Sequence, residues 1–469
     1  MEDLKTRDQN PLGFEPEGRL LYRFALPSVV ALVVNSLYNI VDQIFIGQYI
    51  GFLGNAATNV TFPLVTIALS LALLLGIGSA SRYSLLLGAG RTDQAKGVVG
   101  NCVIALTAVG VILMLLFLVF MPQWLTLFGA TDQLMDYARI YGGICAVGLP
   151  FMMMQTAVCA LIRADGSPQY SMISILVGAI INTILDPIFI AVFHMGIAGA
   201  AYATVIGQVA SCFFALSYLP RFKQVKLKKE DFVFSKAETR MSAALGVSNF
   251  SSQITLTLVQ VVLNNSIKHY GALSIYGPDI PLAAAGIVFK CNGILIAIFV
   301  GIAQGAQAIV GFNYGAKRYL RVRRTYFCAF LTTLAIGLIG FMAFQLIPDR
   351  ILAIFGTGDS KLYFDFAIYF MRTFLFMVPV IGIQIVSSNF FASIGKPIRG
   401  LILSLSRTVI CMIPALLILP LFFGLDGIIY AAPVSDAIAC VVTMVFIFFE
   451  MRHLGYLAKV DHQSEVAMA

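Results

Sequence analysis

Two apolar segments each contain one carboxylate. LPSVVALVVNSLYNIVDQIFIGQYI, residues 26–50, holds Asp42, and YSMISILVGAIINTILDPIFIAVF, residues 170–193, holds Asp186. A mainly apolar run of about 18 residues is long enough to cross a bilayer. A carboxylate at membrane depth costs free energy, so by default it marks an ion or proton site. The alternative is a structural carboxylate that only hydrogen-bonds a neighbouring helix.

Each acid has amide side chains on its own helical face. Asn35 and Asn39 precede Asp42 by seven and three residues, and Asn182 precedes Asp186 by four. These spacings place side chains on one face of a helix. The segments therefore predict two sites at which a carboxylate and an amide share a cation or a proton.

The composition is that of a polytopic membrane protein. Hydrophobic residues make up 59% of the 469 residues and charged residues 12%, whereas soluble domains have about 25% charged residues. The net charge of +8 does not indicate nucleic-acid binding, because the Lys and Arg residues lie mainly in short segments between apolar runs. The eight cysteines are scattered without a CxxC pair, so we expect neither disulfides nor a cysteine metal site. The polar N-terminus lacks an apolar core, so we expect no cleaved signal peptide.

The apolar runs predict an all-α fold with twelve transmembrane helices. The predicted spans are about residues 20–48, 55–87, 97–121, 134–162, 169–193, 197–219, 239–267, 281–312, 325–347, 361–393, 397–421 and 426–450. Several exceed the roughly 20 residues of a straight span, so we expect tilt or extension beyond the bilayer.

Positive charges predict the topology. With the N-terminus inside, only Lys268, Arg350 and Lys361 of the 31 Lys and Arg residues fall in outer loops, so both termini are predicted to be cytoplasmic. The predicted units are an N-lobe of residues 1–220, a cytoplasmic linker of residues 221–240, a C-lobe of residues 241–455 and a cytoplasmic tail of residues 456–469.

The two halves resemble each other in sequence. GIGSA at 76–80 corresponds to GIAQGA at 301–306, and LLGAGR at 86–91 corresponds to GFNYGAKR at 311–318. Six spans per half insert both halves in the same direction. We therefore predict a parallel repeat, with a pseudo-twofold axis along the membrane normal and a cleft between two six-helix bundles.

The repeat is broken at the acids. Asp186 corresponds to Ala415, and Asp42 corresponds roughly to Asn264 or Asn265. Only the N-terminal half therefore keeps both membrane carboxylates, and we expect the chemistry there.

Prolines mark predicted bends near these acids. Pro187 follows Asp186 directly, and Pro27 lies near the start of the first span. Proline removes a backbone hydrogen bond and kinks or breaks a helix. Both prolines are predicted hinges.

The sixth span has a polar face formed by Thr204, Gln208 and Ser211. This face is expected to turn toward the first and fifth spans, although helix packing alone is the simpler explanation for Ser211. In the repeat, Gln208 corresponds to Asp436.

Asp436 has two interpretations. It either lines the central cleft or forms a structural ion pair with Arg407 or Lys290, which also lie within predicted spans.

The chain resembles the multidrug and toxic compound extrusion (MATE) family, and within it the bacterial MepA-like and DinF-like branch. The motifs, in order over nearly the whole chain, are LYNIVDQIFIG at 37–47, RADGSP at 163–168, NTILDP at 182–187 and GAAYAT at 199–204. The resemblance implies a V-shaped pair of bundles around a central cavity. It also implies export of lipophilic, often cationic compounds in exchange for H⁺ or Na⁺.

The resemblance places the proton or Na⁺ site at Asp42, Asn182, Asp186 and Thr204. Residues expected to support this site or to line the cavity are Asn35, Tyr38, Asn39, Gln208, Gln260 and Asp436. NorM-type relatives carry an acid in the seventh span, where this chain has Gln260, so a second site in the C-lobe is not expected. The family further implies a monomer in the bacterial cytoplasmic (inner) membrane. The expected partners are lipid and small organic cations. Neither an enzymatic activity nor a cofactor is expected.

The sequence has features of two other functions. A lipid-linked oligosaccharide flippase of the same superfamily needs cavity cations for a pyrophosphate, and this chain has few at membrane depth, chiefly Lys290 and Arg407. GTGD at 356–359 matches a pattern of intramembrane aspartyl proteases, but it lies in a predicted outer loop and corresponds to a turn, GATD at 129–132. No G-x-x-x-x-G-K-[ST] motif is present, so ATP is not the expected energy source.

Overall fold

The computed structural model describes residues 11–277, 279–354 and 361–468, and these residues form an all-helical protein. The GTGD motif at 356–359 lies outside the described residues. The N-lobe helices are α1 Glu17–Tyr49, α2 Phe52–Gly88, α3 Thr92–Val119, α4 Asp132–Ala164, α5 Pro168–Pro187 with a π-helical turn Ile188–Val192, and α6 Gly196–Leu216. The C-lobe helices are α7 Lys236–Ala272, α8 Asp279–Gly315, α9 Tyr319–Leu346, α10 Lys361–Phe374 with Val378–Ser393, α11 Pro397–Leu405 with a π-helical segment Ser406–Met412 and Ile413–Phe423, and α12 Leu425–Met468. Short helices also occur at Pro11–Phe14, Met121–Leu127 and Pro348–Ile354.

These helices confirm the predicted all-α membrane fold. Within the described residues, ten helices are long and apolar enough to cross a membrane, and the two parts of α10, bent by 46°, make an eleventh span. The remaining helix, α7, is 37 residues long but carries many Ser, Thr, Asn and Gln residues. It packs along α2, so protein surrounds part of its polar surface.

The last helix is longer than the sequence pattern predicted. α12 continues to Met468, through the segment expected to be a tail after residue 455. Residues 450–468 contain no proline and only one glycine, Gly455, and most are good helix formers. A helix therefore persists beyond its apolar part.

Glycines bring the two lobes into close contact at the end that carries the start of α1, which we call the inner face. A Cβ added to Gly88 of α2 would lie 2.0 Å from the carbonyl oxygen of Phe312, and one added to Gly315 of α8 would lie 2.2 Å from that of Leu85. The contact is reciprocal, and both glycines belong to corresponding blocks of the repeat. Small residues allow such backbone approach between membrane helices.

The inner part of α1 also packs against the C-lobe. A Cβ on Gly301 of α8 would lie 2.7 Å from the Cα of Val29, and one on Gly305 would lie 2.6 Å from the Cα of Ala25. Pro27 lies between these two contacts inside α1 and is buried. The predicted hinge is thus held against α8.

A buried carboxylate fixes the start of the polar linker to the N-lobe. Asp165, fully buried in the loop after α4, accepts hydrogen bonds from the backbone N–H groups of Lys223 (2.7 Å) and Gln224 (3.0 Å). The hydroxyls of Tyr83 and Tyr218 also donate to it, at 2.7 and 2.9 Å. Burial raises the pKa of the Asp165 carboxyl, and these four donors oppose that shift because they favour its charged form.

Candidate functional site

The two predicted carboxylates meet where α1 packs against α5. Asp42 is 7% exposed and Asp186 is 0% exposed, and their carboxyl groups lie within hydrogen-bonding reach of each other. Two ionised carboxylates at such close range repel each other, so the pair is most stable with a proton or a cation between its members. The structure therefore brings together the two acids that the sequence singled out.

A close approach of α5 and α6 positions the amide of the site. A Cβ on Gly178 would lie 2.9 Å from the carbonyl oxygen of Gly207, so glycine at both positions lets the helices touch. One turn along each helix, this contact sets Asn182 beside Thr204. Both predicted partners of the acids thus belong to the same cluster.

The amide of Asn182 links Thr204 to Asp186. In the orientation that satisfies its neighbours, its nitrogen donates to the Asp186 carboxylate at 3.3 Å. Its oxygen then accepts from the backbone N–H of Thr204 at 3.2 Å and from the hydroxyl at 3.3 Å. Asn182 therefore presents a hydrogen-bond donor to the acid pair.

Aromatic and thiol groups lie around the acid pair. Tyr38 of α1 lies close enough to interact electrostatically with both carboxyls. On α4, the side chains of Tyr141 and Cys145 lie close enough to interact with each other and with Asp42. Neither residue was predicted from the sequence, because their only signal is an i, i+4 spacing within an apolar helix.

Two buried oxygens near this cluster have no hydrogen-bond partner among the described residues. They are Oδ1 of Asp42 and Oε1 of Gln208. Gln208 lies against Gly148 of α4, where an added Cβ would be only 2.3 Å from that oxygen. The predicted polar face of α6 is therefore divided: Thr204 contacts the site, Gln208 faces α4, and Ser211 bonds the backbone of Ser174 at 2.6 Å.

The other predicted residues lie outside the hydrogen-bonded cluster. Asn39 is exposed and donates to the carbonyl of Asn35 at 2.7 Å, and Gln260 is exposed on α7. In the C-lobe, the Asp436 carboxylate accepts from Arg407 Nε at 2.7 Å, with Asp436 only 4% exposed. The structure thus selects the ion-pair interpretation for Asp436.

The second predicted hinge adjoins the site. α5 remains helical through Pro187 and widens into the π-helical turn Ile188–Val192 immediately afterwards. Proline has no N–H group, so the Thr183 carbonyl lacks its usual helical partner one turn below Asp186.

The residue pattern and the fold both have counterparts among known proteins. The family model MatE matches residues 27–188 and 243–417. Multidrug export protein MepA of Staphylococcus aureus (strain MRSA252) is 25% identical over 447 residues, covering 94% of this chain and 96% of the relative. MepA of Staphylococcus saprophyticus is 24% identical over 438 residues, covering 91% of this chain and 93% of the relative.

Solved structures are similar over nearly the full length. An outward-facing multidrug resistance MATE family transporter of the MOP superfamily superposes with a TM-score of 0.87 at 21% identity, covering 97% of this chain and 99% of the other. A MATE structure in the straight conformation has a TM-score of 0.88 at 22% identity, covering 95% and 98%. One in the bent conformation has 0.86 at 21% identity, covering 98% and 99%. At these identities the similarity establishes the V-shaped two-lobe fold.

Proposed function

Because this chain belongs to the MatE family of transporters, we propose that it exports lipophilic, often cationic compounds in exchange for an ion bound by Asp42 and Asp186. The single observation that carries the proposal is the contact between two buried carboxyls in a membrane lobe. The net charge of such a pair changes when an ion binds. The accompanying change in electrostatic energy is large, because the dielectric constant within the membrane is low. The proposal concerns transport, and it assigns the chain no enzymatic activity and no cofactor.

We propose H⁺ as the coupling ion. In the amide orientation that satisfies the neighbours of Asn182, its nitrogen donates to Asp186 and its oxygen accepts from Thr204. A Na⁺ site needs oxygens directed at the ion, because hard cations are bound by oxygen ligands. An amide donor instead suits a carboxyl pair that shares a proton. Na⁺ binding at Asp42, Asn182, Asp186 and Thr204 would require the amide to turn.

Helix α1 couples ion binding at Asp42 to the shape of the cleft. Its inner part, around Pro27, packs against Gly301 and Gly305 of the C-lobe, whereas Asp42 in its outer part packs against α5 of the N-lobe. Protonation removes charge repulsion between α1 and α5. The outer part of α1 can then move toward α5 about Pro27 while the inner part stays fixed, which changes the shape of the cleft and releases the compound outward.

The proposed setting is the cytoplasmic membrane of a bacterium, with the inner face toward the cytoplasm and one chain as the transport unit. Its support is the excess of Lys and Arg in the segments at that face. We do not propose the flippase function, since Arg407 is held by Asp436 and Lys290 alone is a poor match for a pyrophosphate.

The first test replaces each acid of the pair. Asp42→Asn and Asp186→Asn should each abolish efflux of the lipophilic cation ethidium from cells, with surface expression preserved. Asp365→Asn is the matched control, because Asp365 is exposed near the outer end of α10. Wild-type efflux in either acid variant would remove that carboxyl from the mechanism.

The second test separates the two ions. Proteoliposomes in sodium-free buffer should transport ethidium when a pH gradient is imposed. Transport that needs a Na⁺ gradient and ignores the pH gradient would replace H⁺ by Na⁺ as the coupling ion.

A further inference from the structure

Lys290 and Arg407 both lie in C-lobe helices at membrane depth, but their surroundings differ. Arg407 donates to the buried carboxylate of Asp436 at 2.7 Å. Lys290 is exposed, and it has no hydrogen-bond, ion-pair or aromatic partner within the part of the chain that the structure describes. An unpaired cation at membrane depth is costly and is usually functional. The ion-coupling mechanism above does not use Lys290.

The register of α1 and α8 gives the depth of Lys290. Gly305 contacts Ala25 and Gly301 contacts Val29. The two helices are therefore antiparallel, and four residues of α8 match four residues of α1. Lys290 lies eleven residues before Gly301, which is about 16 Å further toward the outer side. The same register places it level with residue 40 of α1. Lys290 is therefore within one helical turn of the depth of Asp42.

The helical periodicity gives the direction in which Lys290 projects. Eleven residues are about three full turns, so Lys290 lies within about 20° of the direction of Gly301, which faces the N-lobe. Gly286 and Gly293 flank it, and a Cβ added to either would have no atom within 4 Å. The preceding residue, Phe289, points elsewhere, into the C-lobe core against Phe374. Lys290 thus stands on an open face of α8, directed at the cleft between the lobes.

We propose that Lys290 binds a negatively charged group of the transported compound, so that the cleft accepts zwitterionic and anionic amphiphiles as well as cations. A carboxylate or phosphate group would compensate the lysine charge, and a charge-assisted hydrogen bond is stronger than a neutral one. On the opposite wall, Asn39 of α1 is exposed at the same depth and offers a neutral polar group. The proposal names the substrate class of the proposed function and rests on it.

The test uses two probes that differ in one charge: a rhodamine with a free carboxylate and its methyl ester. Binding to the purified protein is measured by fluorescence polarisation, and efflux is measured in proteoliposomes. Lys290→Met removes the charge at similar length, and Lys290→Arg keeps it. Lys268→Met is the control, since Lys268 is exposed at the outer end of α7.

For the carboxylate probe, Lys290→Met should weaken binding about tenfold or more, as expected for loss of a hydrogen bond to a charged group. Binding of the ester should change by less than about twofold. Lys290→Arg should retain binding of the carboxylate probe, and Lys268→Met should affect neither probe. Unchanged binding of the carboxylate probe in Lys290→Met, equal losses for both probes, or no binding of the carboxylate probe to the wild-type protein would each overturn the proposal.

The binding assay distinguishes this proposal from the proposed function. Charge-selective binding that depends on Lys290, together with ethidium efflux that survives Asp42→Asn, would support the lysine site and refute the coupling site. The reverse result, with ethidium efflux dependent on Asp42 but no charge selectivity at Lys290, would refute only the lysine site.

Discussion

The two lobes use different chemistry at corresponding helix contacts. In the N-lobe, α1 and α5 meet through the carboxyls of Asp42 and Asp186. In the C-lobe, α7 and α11 meet through hydroxyls, with Thr408 donating to Thr255 at 3.1 Å. A hydroxyl pair is satisfied by its own hydrogen bond and carries no charge, whereas a carboxyl pair needs a proton or a cation. The fold is repeated, but the capacity to respond to an ion is not.

The charged groups show the same difference. The C-lobe pairs Asp436 with Arg407 and so closes its buried charge within the lobe. The N-lobe leaves Oδ1 of the Asp42 carboxyl without a partner among the described residues, whereas the buried C-lobe atoms that lack one, such as Asn249 Nδ2 and Asn292 Oδ1, belong to neutral side chains. A buried carboxyl oxygen without a partner is a place where a proton or a cation can bind. The unpaired acidic group therefore favours the N-lobe as the place where the proposed ion enters.

The largest expected effect on transport distinguishes the α1–α5 contact of the N-lobe from the corresponding α7–α11 contact of the C-lobe. Asp186→Asn should reduce the rate of pH-driven efflux by about a hundredfold or more, since a group that must change charge is removed. Thr408→Val removes only a neutral hydrogen bond and should change the rate by less than about threefold. Both variants are compared in proteoliposomes at equal protein content. Equal losses would show that the hydroxyl pair is as important as the acids.

The ion pair between Arg407 and Asp436 in the C-lobe should stabilise the folded protein. Arg407→Ala leaves the Asp436 carboxylate buried and unpaired, which should cost about 3 to 5 kcal/mol and lower the Tm measured in detergent. The double variant Arg407→Ala/Asp436→Ala should recover part of that loss, because no uncompensated charge remains. If the double variant is no more stable than the single one, the two residues do not act as a pair.

The glycine contact between the lobes tests whether the C-lobe holds the inner part of α1. Gly305→Ala places a methyl group 2.6 Å from the backbone of Ala25, so it should cost about 1 to 3 kcal/mol and lower the Tm. Gly286→Ala on the open face of the same helix is the control and should not destabilise the protein. Equal Tm values for the two variants would contradict the close packing of α1 on α8.

The helices and the acid pair could be predicted from the sequence, because their signals lie within single segments of the chain. Apolar runs define spans, and Asp42, Asp186 and Asn182 stand out because polar groups are costly in them. Thr204 was found through the polar face of α6 and the resemblance to the family. Tyr141 was not found, because an aromatic residue in an apolar helix carries no signal of its own.

Other features depend on side-chain geometry across helices, which residue spacing does not determine. Asp436 could reach either Arg407 or Lys290, and only the packing of α11 against α12 decides between them. The direction of the Asn182 amide, which bears on the choice of ion, depends on the approach of α5 to α6.

The smallest expected effects concern neutral hydroxyl contacts, of which each lobe has at least one. Ser211 donates to the Ser174 carbonyl at 2.6 Å in the N-lobe, and Ser248 bonds Ser388 at 2.8 Å in the C-lobe. Ser211→Ala and Ser248→Ala should each cost about 0.5 to 1.5 kcal/mol, measured as a Tm decrease in detergent, and should leave pH-driven efflux unchanged. Such a result would restrict the difference between the lobes to their carboxyls. If Ser211→Ala instead uncoupled transport while Ser248→Ala did not, the coupling site would extend along α6, beyond Thr204.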